Sequence, residues 1–325
     1  MRMLNLETEL SRVSSAAIAG HIRPDGDCVG SCMGMYLYIK KNFPNITRVN
    51  VFLEKIPEAM NFIKDSDKIR NDYPEEAPYD LFIGLDAGDT GRLGKAETYF
   101  AQAGRTICID HHISNTGYAD ENYIVPSASS ASELVYELID PEKIDKSIAE
   151  ALYMGIAHDT GVFQYSCCSP RTMEIAGKLM GMGIDFSGIV DRTFYQKSYL
   201  QQQILGRALL ESMMLFDGRC IVSVLRNKEM EFYGVESADL DGIVSVLRNT
   251  KGVEVAIFMH ECALQEYKVS MRSNSFVDVS KIATYFGGGG HVRAAGCTMQ
   301  GSMHDVVNNL TLQIEKQFME QEKKA

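Results

Sequence analysis

The first half of the chain alternates short β-rich runs with helical patterns, and this order is the feature that most constrains its fold. Segments such as VGSCMGMYLYIKK, between the runs, have the spacing of a helix. Strands that alternate with helices form a mostly parallel sheet covered by helices. The predicted strands are Ser14–His21, Arg48–Glu54, Tyr79–Asp86 and Arg105–Asp110.

The length of 325 residues fits two domains better than one compact core. After a mostly helical stretch, the segment 191–216 loses β character and predicts a connecting helix. A second β/α unit follows, with predicted strands RCIVSVL, VEVAIFMHE and EYKVSMRS and a closing helix from His304. We therefore expect an α/β fold: a first domain over 1–190 with a mostly parallel sheet covered by helices, a connecting helix over 191–216, and a smaller α/β domain over 217–325.

Composition narrows the class of protein. With 45% apolar and 23% charged residues, the chain is typical of a soluble globular protein. No apolar run approaches the ~20 residues that span a bilayer, and Glu7 and Glu9 lie where an export signal would carry positive charge. We expect a cytoplasmic protein with reduced cysteines and no membrane partner. A net charge of −11 argues against binding long nucleic acid. The sequence leaves open whether the chain forms a homodimer.

Acidic residues and histidines follow the predicted strands where each strand ends. Ligands of open α/β sheets bind beyond the carboxyl ends of the strands, so residues there are functional candidates. One further acid follows a helix and precedes a glycine turn that would fold it back toward the same place. The candidates are His21, Asp25 and Asp27 after the first strand, Asp86 after the third, Asp110, His111 and His112 after the fourth, and Asp159 after the helix.

A single residue of this kind has an ordinary explanation, since aspartate often caps a helix or forms a turn. Several carboxylates and imidazoles at one sheet edge would repel each other or stay unsatisfied without a cation. Aspartate and histidine without thiolate suit Mn²⁺ or a similar divalent ion better than a structural zinc. The candidate ligands outnumber those that one ion needs. Two ions about 3.5–4 Å apart that share a carboxylate are typical of phosphoester hydrolysis.

The second half contains a glycine run, Gly287–Gly290, that allows close approach of the backbone to a ligand and offers amide donors for a phosphate. The small residues 294–296 after it predict a tightly packed helix start. An ordinary flexible turn and a solvated strand end remain open as alternatives. The candidate substrate-binding residues are Gly288, Gly289, Gly290, His291 and Arg293, with Arg272 and Ser273 at the end of the strand EYKVSMRS.

Five ordered segments resemble a known family. HIRPDGDCVGS, LDAGDTGRLG, DHH and GIAHDTGVF are similar to the four motifs of the DHH phosphoesterase superfamily, and FGGGGHVRAAG is similar to the signature of the DHHA1 domain. The resemblance covers nearly the whole chain. It is closest to the NrnA-type group of bacterial nanoRNases and pAp phosphatases.

The resemblance implies a role for each candidate residue. His21, Asp25 and Asp86 would hold one manganese ion, and Asp27, Asp86, His111 and Asp159 the other, with Asp86 bridging. Asp110 would orient His111, while His112 would contact the substrate phosphate or protonate the leaving oxygen. The DHHA1 domain would hold the nucleotide.

The activity implied by the resemblance is hydrolysis of P–O3′ bonds. Short 5′-phosphorylated oligoribonucleotides would yield mononucleotides, and pAp would yield AMP and phosphate. One alternative is a phosphodiesterase of second-messenger turnover that acts on pApA, pGpG or cyclic di-AMP. Another is a module that senses nucleotides without cutting them. Turnover that is lost on Asp86→Ala, with the fold retained, would separate an enzyme from a sensor.

Overall fold

The structure is a computed structural model that describes residues 4–323. The chain divides into two compact units, one ending at Gln196 and the other beginning at Lys197. This division falls inside the segment 191–216, but that segment is not the single connecting helix expected. A π-helical turn over Asp191–Tyr195 ends before the chain becomes extended at Gln196. A new helix then begins because Ser198 and Gln201 form a capping box at its start.

The first unit is built on six strands with helices between them. All neighbouring strands are parallel, in the order β3-β2-β1-β4-β5-β6. The strands are β1 Ser15–Ala19, β2 Arg48–Phe52, β3 Ile69–Arg70, β4 Leu81–Leu85, β5 Thr106–Asp110 and β6 Glu121–Ile124. The helices are α1 Leu6–Ser11, α2 Gly26–Asn42, α3 Glu97–Gln102, α4 Ala131–Leu138, α5 Lys146–Asp159, α6 Pro170–Met180 and α7 Phe186–Val190.

The four predicted strands of this unit are confirmed, and the predicted parallel sheet is too. Strands β3 and β6 were missed because β3 has two residues and β6 lies at the edge, half-buried, without an apolar run. Each face of the sheet carries a core. The larger core joins Ile18 and Leu85 to α2, α4, α5 and α6, and the smaller one surrounds Phe52 and Phe82.

The order of the strands locates a ligand site. The strand order changes direction between β1 and β4, because β2 and β3 lie on one side of this pair and β5 and β6 on the other. A crevice at such a switch point, outside the carboxyl ends of the strands, is where open α/β sheets bind ligands. His21 follows β1 and Asp86 follows β4. The fold therefore brings two candidate residues to this point.

The second unit contains a mixed sheet in the order β11-β12-β10-β9-β8-β7, in which only β8 and β9 are parallel. Its strands are β7 Met213–Leu215, β8 Cys220–Leu225, β9 Val255–Ala263, β10 Glu266–Ser273, β11 Gly289–His291 and β12 Ala294–Gln300. Its helices are α8 Tyr199–Leu210, α9 Asn227–Tyr233, α10 Ile243–Arg248, α11 Val279–Tyr285 and α12 Met303–Glu322.

One prediction in this unit is wrong. The small residues after the glycine run begin strand β12 rather than a helix. Ala295, Cys297 and Met299 alternate into the core, and β12 pairs with β10 along its whole length. A period of two fits a strand and not a helix. Among residues 4–323, no helix combines the length and the apolar character that crossing a membrane requires.

Candidate metal centre

His21 is oriented by its own backbone. It lies two residues after β1, and its Nδ1 is 2.9 Å from the carbonyl oxygen of Ile22. A carbonyl only accepts, so Nδ1 carries a proton and Nε2 is the ring nitrogen that faces the carboxylates. That Nε2 is 3.5 Å from both Asp25 Oδ1 and Asp86 Oδ2. Asp25 is held as the cap of α2, where Oδ1 accepts from the backbone amides of Asp27 and Cys28.

Asp27 is fully buried, and the start of α4 holds its carboxylate. Oδ2 accepts from the amide of Ala131 at 2.6 Å, and Oδ1 accepts from the amide of Ser132 at 2.9 Å. The N-terminal amides and the helix dipole favour a negative charge there. The sequence analysis did not predict that the segment SSAS, residues 129–132, binds Asp27. Ser130 caps α4, and a serine in this position is a recognisable sign of a helix start.

Asp86 occupies a strained position at the centre of the site. Its φ is +54°, in the left-handed region that few side-chain-bearing residues adopt. It is 2% exposed, and its Oδ1 is buried without a hydrogen-bond partner. A buried carboxylate oxygen without a partner is costly, and strain of this kind clusters at functional sites. This oxygen lies 3.5 Å from His111 Nε2 and 3.7 Å from His112 Nδ1.

Asp159 reaches the same centre from the end of α5. Its Oδ2 lies 3.1 Å from His111 Nε2. The chain turns sharply after it, with Gly161, Val162 and Phe163 all at positive φ. Backbone amides of Gln164 and Tyr165 both donate to the carbonyl oxygen of Thr160 and stabilise this turn. The glycine turn predicted from the sequence therefore exists, and Asp159 lies beside His111.

Asp110 orients His112 and not His111, which corrects the expectation taken from the family resemblance. Asp110 Oδ1 is 2.7 Å from His112 Nδ1. Its other oxygen accepts from the side-chain amide of Asn115 at 2.6 Å, and Asn115 Oδ1 in turn accepts from the amide of Gly117. Alternation explains the result, because adjacent residues at the end of β5 point in different directions. Sequence reasoning also missed Asn115, which the motif DHHISN places four residues after His111.

Two glycines let α2 and α5 approach closely, and these helices carry Asp27 and Asp159. A Cβ at Gly30 would lie 2.6 Å from the carbonyl oxygen of Ala151 and 2.9 Å from the backbone of Gly155. A Cβ at Gly155 would lie 2.8 Å from Asp27 Oδ1. The helices therefore pack backbone to backbone beside the site. Larger residues at either position would move the two aspartates apart.

The electrostatics of the site favour a cation. Burial opposes protonation of His21 and His111, yet neighbouring carboxylates outweigh it and raise the pKa of each imidazole to about 12. Burial and the charge of Asp86 raise the pKa of the Asp27 carboxyl well above its ordinary range. The same causes raise the pKa of Asp159 to about 6, although His111 opposes them. Raised values for acids and bases together indicate a strongly negative potential.

These residues fit divalent ions. Among residues 4–323 there are three groups in which the possible ligand atoms lie within 4.8 Å of one another: His21, Cys28 and Asp86; Asp86, His111 and His112; Asp27, His111 and Asp159. Asp86 belongs to two of these groups, since Oδ2 faces His21 and the unpartnered Oδ1 faces His111 and His112, as in a bridging carboxylate. Burial raises the pKa of the Cys28 thiol well above its ordinary range, which disfavours a thiolate ligand. The remaining aspartate and histidine donors suit a harder ion than a structural zinc.

The predicted substrate residues of the second unit differ in their surroundings. Ser273 is buried, and its hydroxyl donates to the carbonyl of Val277 at 2.7 Å. Arg293 donates to the same carbonyl at 3.0 Å, while Arg272 donates to the carbonyl of Met271 at 3.0 Å. Gly289, Gly290 and His291 form strand β11, at the exposed edge of the sheet, and Gly288 precedes it, partly exposed.

Comparison with known proteins identifies two domains in this chain. Residues 15–156 match the DHH family, N-terminal domain, and residues 217–320 match the DHHA1 domain. The chain therefore contains a DHH domain and a DHHA1 domain. The five motifs that carry the resemblance in the sequence lie in or directly after these two ranges.

Relatives of this DHH–DHHA1 chain cover most of its length. One, from Thermus thermophilus, is named "Bifunctional oligoribonuclease and PAP phosphatase NrnA"; it is 29% identical over 87% of this chain and 84% of its own. A protein of the same name from Bacillus subtilis is 26% identical over 90% of this chain and 93% of its own. A crystal structure of an exopolyphosphatase-related protein from Bacteroides fragilis superposes with a TM-score of 0.89. It is 27% identical and covers 95% of this chain and 94% of that chain.

Proposed function

We propose that this DHH–DHHA1 protein hydrolyses P–O3′ bonds of short 5′-phosphorylated oligoribonucleotides, releasing mononucleotides, and also converts pAp to AMP and phosphate. The buried Asp86 carboxylate, whose unpartnered Oδ1 faces His111 and His112 while Oδ2 faces His21, is the observation that carries the proposal. It marks a centre for cations at the switch point of the sheet. The activities named for the bacterial relatives supply the substrate class.

Two divalent ions, best matched by Mn²⁺, account for the charge of the site. When all four are ionised, Asp25, Asp27, Asp86 and Asp159 carry four negative charges, which two such ions would balance. We assign His21, Asp25 and Asp86 to one ion and Asp27, Asp86, His111 and Asp159 to the other. When bound, such an ion pair would supply a hydroxide nucleophile at neutral pH and would neutralise charge on the phosphoryl oxygens.

His112 acts on the substrate through Nε2. Asp110 accepts from Nδ1, which fixes the ring, and this hydrogen bond raises the pKa of His112 although burial opposes it. A protonated ring donates from both nitrogens. His112 Nε2 is therefore the donor to a phosphate oxygen or to the departing O3′, and Asp110 holds it in place. Breaking the P–O3′ bond leaves O3′ with an electron pair, which takes up this proton.

The DHHA1 domain, for which we propose the bounds 217–325, holds the nucleotide. Backbone groups of Gly288, Gly289 and Gly290 are accessible to a phosphate or ribose, and His291 is exposed beside them. Arg272 supplies positive charge from β10. Ser273 and Arg293 contribute by fixing the turn at Val277, next to the end of that strand.

The test compares hydrolysis of pApA and pAp by the parent protein and by Asp86→Asn with Mn²⁺. The parent should release AMP from pApA, and AMP with phosphate from pAp. Asp86→Asn should lose both activities while its circular dichroism spectrum stays unchanged. The matched control is Asp67→Asn, because the Asp67 side chain is 72% exposed and pairs with the neighbouring Lys68. A manganese-loaded parent that leaves both substrates intact would falsify the proposal.

A further inference from the structure

One buried carboxyl group of the first unit belongs to none of the candidate ligands. Glu133 is 4% exposed, and no ion pair of its side chain is found among residues 4–323. A buried carboxyl group without an ion pair is destabilising unless hydrogen bonds satisfy it. Two hydroxyl groups do so here, because Oε2 accepts from Ser129 Oγ and, at 2.7 Å, from Thr172 Oγ1. Glu133 therefore bridges α4, which contains it, and α6, which contains Thr172.

The hydroxyl groups on the α6 side form a chain that ends at Glu133. Thr172 Oγ1 is also 3.0 Å from the Oγ of Ser169, which caps α6. Since an ionised carboxyl group only accepts, Thr172 donates to Glu133 and Ser169 in turn donates to Thr172. Thr172 is fully buried. Loss of the Glu133 carboxylate would leave this hydroxyl group without its acceptor, and loss of the hydroxyl group would break the bridge from the other side.

The first turn of α4 contains both Glu133 and the amides that hold Asp27. The backbone amides of Ala131 and Ser132 donate to the two carboxylate oxygens of Asp27 at 2.6 and 2.9 Å. Glu133 follows them directly in the chain, and its own amide donates to the side chain of Ser130, the cap of the helix. A shift of this turn would therefore move the two donors that hold the Asp27 carboxylate.

The start of α6 lies beside Asp159, the last residue of α5. Cys167 precedes the cap Ser169 by two residues, and its Sγ is 3.6 Å from the carbonyl oxygen of Asp159. A thiol donor contributes little energy, but the contact shows that the chain returns to the end of α5 just before α6 begins. The bridge formed by Glu133 therefore joins the segment that holds Asp27 to the segment that follows Asp159.

We propose that Glu133 is a positioning residue that sets the separation of Asp27 and Asp159, and with it the affinity of the metal site that these aspartates form with His111. The inference rests on the proposed function, which assigns these ligands to one of two ions. Glu133 contacts neither an ion nor the substrate in this role, because it acts through the starts of α4 and α6. Residues that hold metal ligands in place change metal affinity by about 10–100-fold. Glu133 acts one step further away, so we expect the lower end of this range.

A buried carboxylate also attracts a cation by its charge alone, so the experiment separates charge from position. It measures Mn²⁺ binding by calorimetry in the parent protein and its variants. Glu133→Ala removes both the charge and the bridge. Glu133→Gln removes the charge but keeps a side-chain oxygen that accepts from both hydroxyl groups. Thr172→Val keeps the charge and removes the hydroxyl donor, and Thr172→Ser keeps both.

Glu133→Ala and Thr172→Val should weaken the binding of one Mn²⁺ about tenfold and leave the binding of the second unchanged, because only Asp27 and Asp159 move apart. Glu133→Gln and Thr172→Ser should bind both ions as the parent does. Circular dichroism checks that each variant is folded. Thr172→Val tests the inference by itself if Glu133→Ala does not fold.

The matched control is Glu137→Ala. Glu137 lies one turn further along α4 and also joins this helix to α6, through an ion pair with Arg171 at 3.1 Å. The Arg171 side chain is 43% exposed, and ion pairs at the surface contribute little to stability. Glu137→Ala therefore removes a bridge between the same helices away from the amides that hold Asp27, and both Mn²⁺ affinities should stay at the parental values.

Three results would overturn the inference. A purely structural role would lower the Tm of Glu133→Ala and Thr172→Val and leave their Mn²⁺ affinities parental. Equal losses of affinity in Glu133→Gln and Glu133→Ala would assign the effect to charge. A loss in Glu137→Ala as large as that in Glu133→Ala would show that any bridge between the two helices has this effect.

Calorimetry also separates this inference from the proposed function, because it requires no turnover. A parent protein that hydrolyses neither pApA nor pAp, but whose Mn²⁺ affinity falls in Glu133→Ala and Thr172→Val and not in Glu133→Gln, rejects the proposed function and retains the inference. A parent that hydrolyses both substrates with Mn²⁺ affinities equal to those of Glu133→Ala retains the proposed function and rejects the inference. A parent that binds no Mn²⁺ overturns both.

Discussion

Replacing Gly30 by alanine tests whether close packing of two helices forms the metal centre. Gly30 lies in α2, one turn after Asp27, and faces α5, which ends at Asp159. A methyl group there would lie 2.6 Å from the carbonyl oxygen of Ala151, where ordinary contact requires 3.4–4 Å. The three nearest atoms all belong to the backbone, so a side chain cannot move aside. The helices themselves must separate.

The expected change in the free energy of unfolding of Gly30→Ala follows from two opposing effects. Alanine in a helix interior gains about 1 kcal/mol over glycine, while overpacking a filled site costs about 1–3 kcal/mol. Gly177→Ala isolates the first effect, because Gly177 lies in α6 and no atom lies within 4 Å of the place that its new methyl group would occupy. The free energies of unfolding of the two variants should therefore differ by the overpacking cost, about 1–3 kcal/mol.

Thermal unfolding of both variants, with EDTA and with Mn²⁺, measures this difference. For a unit of this size, about 1 kcal/mol corresponds to roughly 2–4 °C in Tm. Gly30→Ala should unfold at a lower temperature than Gly177→Ala and bind Mn²⁺ more weakly by calorimetry, because Asp27 and Asp159 move apart. A Gly30→Ala variant as stable as Gly177→Ala, with parental Mn²⁺ affinity, would refute the reasoning.

Three further predictions concern single side chains. Asp86→Asn should raise the Tm in EDTA, since it removes the repulsion between the Asp86 charge and the buried carboxyl groups of Asp27 and Asp159, yet lose the rise that Mn²⁺ gives the parent. Asn115→Ala should lower kcat ten- to hundredfold while calorimetry shows unchanged Mn²⁺ affinity, because Asp110 loses the amide that holds it. Burial and Lys268 lower the pKa of His260 to about 4. His260 therefore stays neutral in the folded protein, whereas in the unfolded chain it takes up a proton below about pH 6.5. Its contribution to the free energy of unfolding is full above that pH and falls by up to about 3 kcal/mol toward pH 4. His260→Gln should remove this part of the dependence in urea unfolding.

The sequence was sufficient to predict which candidate metal ligands lie together, because the carboxyl ends of parallel strands meet at one edge of a sheet. His21 and Asp86 follow β1 and β4, and each strand was recognisable as a β-rich run between helical patterns. Asp159 was predictable from the glycine that ends its helix, Gly161 at φ +57°. Each prediction used only local pattern and the general geometry of α/β sheets.

The contacts that orient these ligands were not predictable in the same way. The amides that hold Asp27 come from Ala131 and Ser132, more than a hundred positions away in the chain. The family resemblance pairs Asp110 with His111, whereas only coordinates show which neighbouring ring Asp110 meets. The small residues at the start of strand β12 favour a helix start in the sequence, yet small residues fit a crowded strand as well as a helix. Long-range packing decided each case.

Stability and chemistry are coupled at Asp86. Its φ of +54° and its unpartnered oxygen both cost free energy in the folded protein, and the parallel sheet around it tolerates them. A bound cation would recover the second cost and leave the first. The same carboxylate lies beside His21 and His111, so any ion between those rings must contact it. Asp86 therefore destabilises the metal-free protein and is also a residue through which metal binding would stabilise it, so loss of metal should loosen the fold and the site together.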